Sequence, residues 1–178
     1  MEDRDLVQAW KRGDREGFEL LMVRYQKPLY YLVRSMVMNR EEAEDITQQA
    51  FIRAFTRINR LRKPERFRSW LFSIGVNLAR DHIRQRRSQV ALEDWDQADR
   101  SADPERIAMA RDGMRNMKSM LRLLPPRQQE VISMRLFAGL TFAEIGDLLG
   151  IREGSARSNF HFGIRALRDL LKGRECSE

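Results

Sequence analysis

A chain of 178 residues has room for one domain or two small ones, and its net charge of +7 with a pI near 10.1 favours a polyanionic partner, whether nucleic acid or an acidic membrane surface. The single cysteine, Cys176, excludes a disulfide framework or a multi-cysteine zinc site within the chain and suits a reducing cytosol. No apolar run reaches the length of a bilayer crossing, and the acidic start MEDRDLVQAW lacks the order of a signal peptide, so a cytoplasmic protein is expected.

The first half reads as helices. Phe18, Leu21, Tyr25, Leu29, Leu32 and Met36 keep one helical spacing, and Ala43, Thr47, Ala50, Ala54 and Ile58 keep another. Pro28 inside the first stretch predicts a kink or a break, while Asn39 followed by Glu42 resembles a capped start for the second. Phe67, Trp70, Leu71, Ile74 and Leu78 mark a third helix, whose tail of Arg80, Arg84, Arg86 and Arg87 puts positive charge near the negative end of its dipole. The first domain should close near residue 87.

Charge then changes sign. From Arg57 to Arg87 there are ten Lys or Arg residues against Glu65 and Asp81, whereas from Ser88 to Glu105 six acids face Arg100 alone. The segment 88–105 lacks helical periodicity and fits an extended, flexible acidic linker. Ile107 to Leu124 should form a helix that Pro125 and Pro126 stop, and Arg127 to Phe137 another. Nowhere does an alternating β-branched run demand a sheet, so the fold class is all-α: two small helical domains, 1–87 and 107–174, joined by the linker at 88–106.

The last stretch, LTFAEIGDLLGIREGSARSNFHFGIRALRDLL, carries the clearest local signal. Thr141 and Glu144 form a capping box that starts a helix; Ala143, Ile145, Leu148 and Leu149 give it an apolar face, and Gly150 supplies the left-handed residue that ends it. In the next helix Ala156, Phe160, Ile164, Leu167 and Leu171 recur at three- or four-residue steps, leaving Arg157, Ser158, His161, Arg165 and Arg168 for other faces. Two helices around a glycine turn, the second one basic, read as a helix-turn-helix, although a plain antiparallel helix pair fits the segment by itself.

In order and spacing, EAEDITQQAFIRAF at 42–55, FRSWLFSIGVNLARDHIRQRR at 67–87, LLPPRQQEVISMR at 123–135 and the helix-turn-helix resemble the bacterial extracytoplasmic-function (ECF) sigma factors of RNA polymerase over nearly the full length. The resemblance implies a promoter-specificity factor. Such a factor binds core polymerase, recognises the −10 and −35 promoter elements, assists melting, is then released, and does no covalent chemistry. It implies that the 42–55 helix docks on the clamp helices of the largest polymerase subunit through Glu44, Asp45, Gln48 and Gln49, and that the flap of the second largest subunit is a further partner of the chain. An acid usually stands in the family where this chain has Gln49. A solvated polar face is the competing account of these four residues, and Phe51 and Phe55 read as core.

By the same resemblance the 67–87 helix reads the −10 element and holds its melted strand with Asn77, Arg80, Asp81 and Arg84, and the loop carrying Arg60, Arg62 and Lys63 captures a flipped base. Unstacking a base costs a few kcal/mol, which amide, basic and aromatic groups can recover. Phe67 and Trp70 share the spacing of Ile74 and Leu78 and read as core. The −35 element falls to the second helix of the helix-turn-helix, with Arg157, Ser158, Asn159, His161, Phe162 and Arg165 at contact positions in the major groove.

This chain departs from the family there: Asn159 and Phe162 stand where many members carry Arg, and Arg152 where a Ser often caps the helix. A lost cap costs about 1 kcal/mol, and losing Arg removes a guanine-reading fork, whereas Asn prefers adenine. His161 is equally readable as a surface histidine, and with only His82 elsewhere neither a metal nor a cofactor is expected. The linker resembles the family's acidic segment near the active centre of polymerase, though its composition suits a plain tether as well. An anti-sigma factor is a further partner implied by the family. A free-standing helix-turn-helix regulator binding duplex DNA as a dimer is the alternative within the same class; a nucleic-acid enzyme is disfavoured because no carboxylates, histidines or cysteines cluster at ligand-like spacing.

Overall fold

The computed structural model describes residues 1–93, 120–121 and 123–175. Among these residues no strand occurs. The N-terminal bundle has α1 (Asp3–Lys11), α2 (Arg15–Val37), α3 (Arg40–Arg57), two short 3-10 turns at Ile58–Arg60 and Pro64–Arg66, and α4 (Phe67–Glu93). The C-terminal part has α5 (Pro126–Phe137), α6 (Phe142–Leu149) and α7 (Glu153–Glu175).

Caps fix where these helices start. Asp14 accepts from the Glu16 N–H at 3.0 Å to open α2, and Asn39 accepts from the Glu42 N–H at 3.2 Å to open α3. The sharp corner between α2 and α3 puts Met38 in the left-handed region at φ 66°, a conformation that a non-glycine residue adopts at a cost. Pro28 does not break α2. Leu21, Tyr25, Leu29 and Leu32 on either side of it are buried, and that packing holds the helix through a position where one backbone hydrogen bond is missing.

Two boundaries differ from the sequence reading. α1 escaped it, although Leu6, Val7 and Trp10 are all buried at helical spacing. α4 continues past residue 87 to Glu93, so the first six positions assigned to the extended linker are helical. The rest of the acidic segment and most of the helix expected over 107–124 lie outside the described residues; of the latter, Met120 and Leu121 are helical and buried.

The two parts pack against each other through one continuous core. Leu29, Val33, Phe72 and Val76 of the bundle share it with Val131, Met134, Leu140, Ile145 and Leu149. A second, smaller cluster sets Met120, Leu121 and Leu124 against Ile132 and Leu167, seating α7 on α5. Polar ties cross the same junction: Gln129 Nε2 donates to the Ser35 carbonyl at 2.7 Å.

Candidate nucleic-acid interface

The helix-turn-helix is built by its caps. Thr141 Oγ1 accepts from the Glu144 N–H at 3.2 Å, and Glu144 Oε2 accepts from the Thr141 N–H at 2.8 Å, the reciprocal capping box expected from sequence. α6 ends on Gly150 at φ 65°, where a side chain would be strained, and the Ile151 N–H folds back to the Gly146 carbonyl at 3.0 Å. Burial alone would push the Glu144 carboxyl up, but the bonds from the Thr141 backbone and hydroxyl, with the Arg68 guanidinium 3.4 Å away, outweigh it and hold the group below the ordinary carboxylate range.

α7 buries Ala156, Gly163 and Leu167 against α5 and α6, and Phe160 meets Phe142 edge-on with ring centroids 5.5 Å apart. The opposite side is open. Ser158, His161, Phe162 and Arg165 are exposed there; Asn159 is half-buried, its amide donating to the Ser155 carbonyl at 2.8 Å. Arg157 lies on the flank of the helix rather than its centre, paired with Glu153 at 2.8 Å and set over the Phe142 ring at 5.4 Å. Around Phe162, the side chains of Arg152, Ser155, Ser158 and Asn159 form a shallow recess.

On α4 the structure brings Asn77, Asp81 and Arg84 to one exposed side, with Arg84 Nη2 3.0 Å from Asp81 Oδ1. Arg80 is different: Nη1 donates to the Leu148 carbonyl at 3.3 Å and Nη2 lies 3.4 Å from Glu130 Oε1, so the guanidinium is held by α5 and α6. Arg60, Arg62 and Lys63 are exposed, and among the described residues none of the three side chains has a hydrogen-bond or ion-pair partner. Their segment is anchored by buried Leu61, whose carbonyl accepts from Lys11 of α1.

The face of α3 separates cleanly. Glu44, Asp45, Gln48 and Gln49 are exposed, while Ala43, Ile46, Thr47 and Ala50 are buried. Beside Glu44 and Gln48 runs an apolar groove between α2 and α3, of about 760 Å³, lined by Phe18, Met22, Tyr30, Phe51, Ile52 and Phe55. Here the sequence reading needs correction. Phe51 is core, but Phe55 is 49% exposed and forms the groove wall beside Phe18, 5.1 Å between ring centroids. Helical spacing alone put Phe55 inside; α1, unseen in the sequence, supplies Trp10 to only one side of its ring. Phe67 is fully buried and Trp70 partly buried against the core.

Comparison with known proteins matches this architecture part by part. The sigma-70 region 2 family covers residues 21–89 and the sigma-70 region 4 family residues 114–167. The chain is 31% identical to the RNA polymerase sigma-H factor of Pseudomonas aeruginosa, over 96% of this chain and 94% of that one. It is 30% identical to the ECF RNA polymerase sigma factor SigW of Bacillus subtilis, over 93% and 95%. Its fold is similar to that of the sigma factor RpoE of Bartonella quintana, solved in complex with the anti-sigma factor NepR, at a TM-score of 0.74 and 20% identity over 87% of this chain and 96% of that one. CnrH, solved in complex with the cytosolic domain of CnrY, gives a TM-score of 0.70 at 24% identity over 96% and 97%. With region 2 in the α2–α4 bundle, region 4 around the helix-turn-helix and this degree of identity over full length, the chain belongs to the ECF RNA polymerase sigma factors, the promoter-specificity factors of transcription initiation.

Proposed function

We propose how the work of a sigma factor is divided among these residues. The bundle of residues 1–87 docks on core polymerase and holds the melted −10 strand, and the part from 107 to 174 places α7 in the major groove of the −35 element, with 88–106 joining them. The observation that carries this reading is the separation of three exposed surfaces on one chain: the acid and amide face of α3, the Asn77–Asp81–Arg84 side of α4, and the open side of α7.

Each surface suits its partner. The groove beside Glu44 and Gln48 offers apolar area next to polar groups, the composition of a protein interface rather than of a nucleic-acid one; Glu44 and Gln48 at its edge, with Asp45 and Gln49 exposed further round α3, face the polymerase clamp helices. Asn77 and Arg84 offer an amide and a guanidinium to unpaired bases and phosphates, and Arg60, Arg62 and Lys63 add unneutralised charge for the displaced strand. On α7, Ser158, Asn159, His161 and Arg165 reach the groove with Phe162, and Arg157 bridges toward backbone phosphate from the flank. No covalent step is assigned to the chain.

Partners follow from the same reading: core polymerase, promoter DNA as duplex and as melted strand, and, because the similar fold of RpoE was solved with the anti-sigma factor NepR bound, an anti-sigma factor on this chain too. Among the described residues no helix is long and apolar enough to cross a membrane; work on polymerase assigns the protein to the bacterial cytoplasm. Run-off transcription by purified bacterial core polymerase, with and without this protein, on a library of genomic promoter fragments tests the proposal. Transcripts dependent on the protein from a shared two-part sequence are expected. Their absence, with tight duplex binding by the protein alone, would replace it by a free-standing regulator.

A further inference from the structure

Phe162 has no role in the fold that its position explains. It is 63% exposed, on the side of α7 opposite Ala156, Gly163 and Leu167, and no ring or cation of the described residues stacks on it. Its neighbours are polar: Arg152, Ser155, Ser158 and Asn159 border the recess beside it, and Arg165 follows one turn on. A phenyl group left in water at this place gains by contact with any apolar group that approaches the open side of α7.

Base-edge chemistry in the major groove then selects its partner. Guanine shows two acceptors there, adenine an acceptor and a donor, and cytosine a donor. A phenyl ring against any of these strips water from a polar atom and returns no hydrogen bond, which is unfavourable. Thymine alone adds a methyl group, so an apolar contact there removes hydrocarbon surface from water on both sides. Asn159 is turned back along the helix by the bond from its amide to the Ser155 carbonyl at 2.8 Å, which leaves one N–H and the amide oxygen for a neighbouring polar edge and the apolar contact to Phe162. Resting on the assignment of α7 to the −35 element, we infer that Phe162 is a specificity-determining residue that selects thymine at one −35 position by packing on its 5-methyl group.

The test uses the reconstituted holoenzyme of full-length protein and core polymerase, on a promoter recovered from the run-off library. Each −35 thymine is replaced in turn by deoxyuridine, which removes the methyl and keeps every hydrogen-bonding group. At one position the substitution should lower initiation about fourfold, the value of one buried methyl-sized group. In Phe162→Ala that sensitivity should vanish while the other positions behave as before. Cytosine at the same position should initiate poorly, and 5-methylcytosine should recover part of the loss. A holoenzyme that transcribes well but ignores every uracil would overturn the inference and leave the sigma assignment standing, as would a uracil effect unchanged in Phe162→Ala. Failure of protein-dependent transcription on any template would remove both. Circular dichroism of Phe162→Ala, an exposed position, should match the parent.

Discussion

Glu144 offers the sharpest test of how the helix-turn-helix is held. Its carboxylate closes the capping box on Thr141 with bonds of 2.8 Å to the backbone N–H and 2.9 Å to the hydroxyl, and it lies 3.4 Å from Arg68 of the bundle. Glu144→Ala removes the capping contact, worth about 1 kcal/mol, and an ion pair whose partners are 36% and 29% exposed, worth about 0.5 kcal/mol after screening. For a chain of this size about 1.5 kcal/mol lowers the melting temperature by about 3–6 °C. A double-mutant cycle with Arg68→Ala should return a coupling of about 0.5 kcal/mol. The pH dependence has a definite sign. A carboxyl held below its ordinary value near 4.5 in the folded state contributes stability above that value and loses it as pH falls through the folded one. The gap between parent and Glu144→Ala, followed by circular dichroism melts, should therefore be full at pH 7 and narrow below about pH 4.5. A gap of the same size at pH 7 and pH 3.5, or equal melting temperatures at neutral pH, would refute the account.

Three further outcomes are expected. Asn77→Ala, at an exposed site on α4, should reduce initiation on closed duplex more than on a pre-melted template; equal losses would argue against a part in strand capture. Asp45→Lys reverses charge on an exposed face and should impair co-elution with core polymerase while leaving the melt unchanged, so normal co-elution would dismiss that contact. Glu130→Gln weakens the hold on Arg80 and should raise affinity for a single-stranded −10 oligonucleotide by up to about fivefold, an exposed-pair magnitude; unchanged binding, measured by fluorescence anisotropy at fixed salt, would mean that Arg80 takes no part.

What the sequence disclosed and what it withheld divide along a physical line. The capping box at Thr141 and Glu144, the left-handed Gly150 and the Asn39 cap are local, set by residues within four positions of one another, and all were readable. The outward side of α3 was equally legible, because a 3.6-residue period sorts Glu44, Asp45, Gln48 and Gln49 from Ala43, Thr47 and Ala50 without reference to anything else. Phe55 misled for the opposite reason, and Pro28 left kink or break undecided for the same one. Whether a proline breaks a helix, or an aromatic on an apolar stripe is covered, depends on what packs there, and for both residues the partners are distant in sequence. The grip of α5 and α6 on Arg80 spans 50 and 68 residues and left no local trace.

That grip bears on how the two halves work together. With Nη1 on the Leu148 carbonyl and Nη2 beside Glu130, Arg80 keeps only part of its five donors and about a third of its surface for anything else, so the geometry described competes with the proposed −10 contact at that side chain. Among the described residues the ion pairs across the junction, Arg68–Glu144 and Arg80–Glu130, are both 3.4 Å long and about a third exposed. Pairs of this kind contribute little individually and weaken with salt. The stronger hold is apolar: Val131, Met134 and Ile145 pack with Leu29 and Phe72, and parting them exposes hydrocarbon to water. Opening is therefore opposed chiefly by burial rather than by charge. Docking of the α3 groove and insertion of α7 into duplex DNA, as proposed, would both bury surface elsewhere, and a polymerase and a two-part promoter bound together would offset that loss more than either alone. On this arrangement, core polymerase and promoter bound together through the proposed surfaces favour the parting of regions 2 and 4 more than either does alone.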